Sequence, residues 1–147
     1  MGINDRDYVR REGPSFLGSL AERGTICKWL IGINIFVFVL QLFTSDREGG
    51  WLTNALILNV DQVVFHGEIW RPLTSAFLHG GMFHIVGNML SLVGLAFVLR
   101  RYAPRRRWLY IFLFTQYVGC IIAGYLNPGL MVGASVGIMG LLGSLFA

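Results

Sequence analysis

Four stretches without a charged residue divide this chain, and the charged residues cluster before Trp29, from Ser45 to Arg71 and from Arg100 to Arg107. The first stretch is Trp29 to Phe43, extended at its front by Ile26 and Cys27. The second is Met82 to Leu99, the third Trp108 to Leu126, and the fourth begins at Ser135 and continues to Ala147. A spanning helix needs about 20 apolar residues. The second and third runs meet that length, and the first does so if Lys28 snorkels to the interface. Tyr102, Trp108 and Tyr110 stand where interfacial aromatics are expected. The fourth run rises only about 18 Å at 1.5 Å per residue, so the reading is three full spanning helices plus the start of a fourth, within an incomplete protein.

Between the first and second runs lies a long segment, Thr44 to Gly81, which is moderately apolar. Connections of that length usually carry structure of their own. Leu52 to Leu58 is too short to span and predicts a short helix packed at the membrane interface. Trp70-Arg71-Pro72 follows, with Pro72 suited to open a helical turn. Trp70 and Arg71 suit an interface where an indole lies in the headgroups and a guanidinium meets carbonyls or phosphates.

Composition agrees with the pattern: 54% of the 147 residues are hydrophobic and 14% charged. The net charge of +4 raises nucleic acid as a partner, but its distribution argues for a membrane. Arg6, Arg10, Arg11, Arg23 and Lys28 precede the first run, and Arg100, Arg101, Arg105, Arg106 and Arg107 separate the second from the third. Only Arg47 and Arg71 lie between the first and second, and none between the third and fourth. This is the positive-inside asymmetry. It places the N-terminus and the basic loop in the cytoplasm, Thr44 to Gly81 outside, and Ser135 toward the outer face. Residues 1–25 read as a polar cytoplasmic leader without the apolar core of a cleavable signal, and 26–147 as the membrane domain. Cys27 and Cys120, in or beside apolar runs, read as small hydrophobes, with no disulfide and no metal.

Polar groups inside such runs are costly and functional by default. Gly133-Ala134-Ser135-Val136-Gly137 places a serine among small residues where the fourth helix begins. One reading is a hydroxyl bonded back to its own helix. The other is an acyl-transfer nucleophile, because a helix N-terminus offers unpaired backbone N–H groups to an oxyanion. His84 and Asn88, spaced i and i+4, share one helical face and can donate to one small target. His79 reads as a second donor or a surface residue. Gly133, Gly137, Gly140 and Gly143 offer close-packing faces for the fourth helix, with Gly87, Gly94, Gly119 and Gly124 elsewhere in the runs.

These residues resemble the rhomboid intramembrane serine proteases. The resemblance rests on Trp70-Arg71 in the long first loop, His79 with His84-x-x-x-Asn88 entering the second helix, and Gly133-x-Ser135 entering the fourth. It implies an all-α polytopic membrane protein with a rhomboid-like helical bundle. By resemblance Ser135 is the nucleophile, while its own N–H, His84 and Asn88 line the oxyanion hole. His79, Gly133, Trp70 and Arg71 support the site and the fold. The implied reaction is hydrolysis of peptide bonds in or near transmembrane segments of substrate proteins in the lipid bilayer, without metal or cofactor.

Two departures accompany the resemblance. Val136 stands where a small residue often follows the serine, which narrows the cavity. The family's general base is a histidine on the sixth helix, and none of His66, His79 and His84 occupies that place. The 147 residues alone are therefore expected to be inactive, and the complete protein to be a protease of a bacterial-type inner membrane. The competing reading is a rhomboid-like pseudoprotease that binds transmembrane clients. A channel or transporter is disfavoured because no Asp, Glu, Lys or Arg lies within the runs after Lys28.

Overall fold

A computed structural model describes residues 25–45, 50–99, 105–127, 129 and 131–146. The leader up to residue 24, with residues 100–104 of the basic loop and Tyr102, lies outside the described residues.

Among the described residues, three helices are long and apolar enough to cross a membrane: α1 (Thr25–Thr44), α5 (Met82–Leu99) and α6 (Arg105–Leu126). Their 18 to 22 residues rise about 27–33 Å, which matches a hydrocarbon core of about 30 Å. Two boundaries differ from the apolar runs. The helix α1 gains residues at both ends, so the first span is full length. The helix α6 begins at Arg105, so Arg106 and Arg107 form its exposed first turn, not a loop.

The connecting segment holds three short helices, α2 (Trp51–Leu56), α3 (Val60–His66) and α4 (Arg71–Thr74), then a 3-10 turn (Ser75–Phe77). Asn59 caps α3 by accepting from the Gln62 N–H at 3.2 Å, and Gly67 closes it in the left-handed region. Such a cap and glycine stop give a seven-residue helix defined ends. Pro72 stands in the first turn of α4, as its missing N–H allows. An isolated antiparallel bridge between Leu58 and Met131, with N···O distances of 3.2 and 3.3 Å, ties this segment to the strand-like approach to α7 (Ser135–Gly143).

The core gathers Leu30 from α1, Leu92 and Leu99 from α5, Trp108 and Phe112 from α6, and Ile138 and Leu141 from α7. Trp108, expected at the interface, is buried in this cluster at 4% exposure, where apolar side chains of four helices meet; Tyr110, two residues on, is exposed. The closest approach is between α6 and α7. A Cβ at Gly137 would lie 2.6 Å from the Phe112 ring, and one at Gly140 would run into Thr115. Small residues at those two positions let the backbones meet. Gly87, Gly94 and Gly143 face open space and serve no such contact.

Candidate functional site

Ser135 is the first residue of α7, and Ala134 before it offers no side-chain cap. Thr44, Thr115 and Ser144 each return their hydroxyl to a carbonyl three or four residues back. Ser135 has no helical turn behind it to accept such a bond. Among the described residues nothing engages its hydroxyl, and it is partly accessible. The helix-bonded reading of this serine therefore does not hold.

Gly133 brings the second helix to it. Its φ of +108° is a conformation that L side chains rarely adopt. A Cβ built there would lie 2.7 Å from His84 Nε2 and 3.2 Å from Asn88 Nδ2. The i, i+4 pair on α5 thus faces the backbone two residues before the serine. Asn88 is 8% exposed, and its Nδ2 has no hydrogen-bond partner among the described residues. A buried, unpaired amide donor costs free energy unless something accepts from it. His84 accepts through Nδ1 from the Gly80 N–H at 3.4 Å, which leaves Nε2 toward Gly133.

His79 is not a surface residue. It is buried at 4% exposure between Phe38 and His84, with ring centroids 6.4 and 5.2 Å away in edge geometry. Burial, and then the neighbouring His84, pull its pKa down to about 4, so the ring is neutral near pH 7. Its backbone is held by Gln41 of α1, whose Oε1 accepts from the His79 N–H at 2.9 Å. The Gln41 amide also donates to the His79 carbonyl at 3.4 Å and to Thr53 at 3.3 Å.

Arg71 does not reach for headgroups. It turns inward at 8% exposure, donating to the carbonyls of Asn54 and Ile57 at 2.8 Å each and pairing with Glu68. One planar guanidinium thereby fastens α2 to α4. Trp70 beside it is exposed at 48%. A γ-methyl of Val136 faces Gly119 of α6, where an added Cβ would stand 2.6 Å away.

Sequence reasoning missed Gln41 and Gln116. Both are buried amides within spanning helices. An uncharged polar residue at membrane depth is itself a signal, but attention to charges passes over it. Gln116 accepts from the Gly137 N–H at 2.9 Å and donates to the Gly133 and Pro72 carbonyls at 3.4 and 3.5 Å. The Gly133 N–H donates in turn to the Ser75 carbonyl at 2.8 Å. Among the described residues no three His, Cys, Asp or Glu side chains are grouped as metal ligands.

Residues 66–147 match the family described as the Rhomboid domain. RHOMBOID-like protein 1 of Arabidopsis thaliana is 34% identical over 91 residues, covering 61% of this chain and 23% of the relative. Rhomboid protease GluP of Bacillus subtilis is 30% identical over 111 residues, covering 73% of this chain and 22% of the relative. Rhomboid-like protease 3 of Toxoplasma gondii is 27% identical over 81 residues, covering 54% and 31%. The chain thus spans less than a third of the length of these relatives. The family match takes in more than half of the chain, including His79, His84, Asn88 and Ser135, so this integral, multi-pass membrane protein belongs to the rhomboid family.

Proposed function

We propose that this chain carries the nucleophile and oxyanion side of an intramembrane serine endopeptidase. Ser135 attacks the carbonyl of a peptide bond in or near a substrate's transmembrane segment. The Ser135 N–H, His84 Nε2 and Asn88 Nδ2 receive the charge that develops on the carbonyl oxygen. The observation that carries this reading is the buried Nδ2 of Asn88 beside Gly133, a donor with no acceptor among the described residues. His79 buttresses His84 through its ring edge, and Arg71 fastens α2 to α4 within the connecting segment.

A serine hydroxyl needs a partner to take its proton. His66 is exposed, His79 is enclosed, and His84 is assigned to the oxyanion. The base therefore comes from a further helix of the complete protein, and the 147 residues expressed alone do not cut. The membrane domain begins near residue 26, where α1 packs against α5. By the positive-inside asymmetry, residues 1–25 and the start of α6 are assigned to the cytoplasmic side of the membrane.

The test is a fluorophosphonate probe on the complete protein that carries this chain. A single adduct on Ser135, absent in Ser135→Ala, supports the protease. A folded protein that takes no adduct supports a client-binding pseudoprotease.

A further inference from the structure

One of the buried amides of the spanning helices, Gln116, lies against the serine turn itself. Gln116 on α6 is fully buried, and its side chain touches that turn at two points. Its Oε1 accepts from the N–H of Gly137, two residues after Ser135, at 2.9 Å. Its Nε2 donates to the carbonyl of Gly133, two residues before Ser135, at 3.4 Å, and to the Pro72 carbonyl at 3.5 Å. The Cys120 sulfur lies 3.1 Å from the same nitrogen. The Gly137 N–H can only donate, so it fixes which end of the amide is oxygen.

We infer that Gln116 is the positioning residue of the oxyanion site: one rigid amide brackets Ser135 and selects the peptide orientation that presents the serine turn to substrate. The inference rests on the protease reading above. Two physical steps lead to it. A glycine at φ +108° has access to more than one peptide orientation at low cost, so the turn does not fix itself. In a trans peptide the C=O and the following N–H point in opposite directions. Holding the Gly133 carbonyl toward α6 therefore turns the Ala134 N–H away from α6. At the other end, the bond to Gly137 consumes the third N–H of α7 and anchors its first turn. The N–H groups of Ser135 and Val136 make no hydrogen bond among the described residues, and stay available.

Gln116 touches neither the serine hydroxyl nor the attacked carbonyl in this arrangement, so it acts through the backbone. Its replacement should slow the chemical step and leave substrate binding nearly unchanged. Removing an oxyanion donor outright costs about 10²–10³ in rate; loosening its support should cost roughly 10- to 100-fold.

The experiment uses the complete protein in micelles and a fluorophosphonate probe. Three quantities are read: the final stoichiometry of Ser135 labelling, the labelling rate at saturating probe, and the half-saturating probe concentration. Gln116→Met should keep the final stoichiometry and half-saturation within about twofold, while the saturating rate falls roughly 10- to 100-fold. Gln116→Glu supplies the control for folding. Its neutral carboxyl reproduces the acceptor and donor pair, whereas its anion loses the donor. Its rate relative to wild type at the same pH should climb toward one as pH falls. A Gln116→Met protein with fewer reactive sites but a wild-type rate per site overturns the inference, as does a Gln116→Glu ratio that does not change with pH. A wild type that takes no label overturns the protease reading itself, and the inference with it.

Discussion

Replacing Gly133 with alanine tests the contact on which the site depends. The new Cβ would stand 2.7 Å from His84 Nε2, 2.8 Å from its Cε1 and 3.2 Å from Asn88 Nδ2. Ordinary contact begins near 3.5 Å, so the His84 ring must retreat by about 0.8 Å. The backbone at φ +108° adds strain of about 1–3 kcal/mol for any residue with a side chain, and overpacking adds a further 1–3 kcal/mol or so. Part of this is relieved by pushing His84 and Asn88 off their present positions, and the two donors then miss the oxyanion. Gly133→Ala should therefore lower the melting temperature in micelles and slow fluorophosphonate labelling of Ser135 by at least about tenfold. Gly143→Ala is the internal comparison. Its Cβ meets nothing within 4 Å, and a helical Gly→Ala change gains up to about 1 kcal/mol. A Gly133→Ala protein that melts and labels like wild type would show that His84 and Asn88 do not back onto this glycine.

Three further outcomes are expected. Arg71→Met strands the Asn54 and Ile57 carbonyls and the Glu68 carboxylate, and should cost about 3 kcal/mol by thermal unfolding, with Arg71→Lys recovering little because an ammonium lacks the fork. Gly140→Val drives a side chain into Thr115, and should part α6 from α7, exposing Cys120 to a maleimide that the wild type excludes. His79 has a folded pKa of about 4 against an ordinary value near 6.5, so between those values only the unfolded chain holds the proton. Stability is then full above pH 6.5 and declines as pH falls toward 4. Acid melting curves of wild type should be steeper in that window than those of His79→Gln, and parallel curves would contradict the burial of this ring.

What was legible in the sequence is what a local pattern encodes. The three spans follow from uninterrupted apolar runs, and the pairing of His84 with Asn88 follows from helical spacing alone. Gly137 and Gly140 announced a close helix approach, and it is made, against Phe112 and Thr115. The misses arise where a distant partner decides the outcome. Trp108 looks interfacial beside its arginines, but it fills the core next to Leu30 and Leu99. Arg71 suits carbonyls or phosphates, but which carbonyls it takes, those of Asn54 and Ile57, is not written in the local pattern. The fit of a Val136 methyl against Gly119 pairs two helices, and neither residue announces the other. Gln41 and Gln116 each hold a backbone segment far away in sequence, and no periodicity points to such a bond.

The central claim is that Ser135, set against His84 and Asn88, is a nucleophile for peptide bonds at the membrane. The complete protein and its Ser135→Ala variant should be reconstituted in liposomes with a single-pass transmembrane reporter, and the reporter's fragments measured by mass. The account predicts one cut in or near the reporter's transmembrane segment by wild type and none by Ser135→Ala. Equal cleavage by both proteins would contradict it.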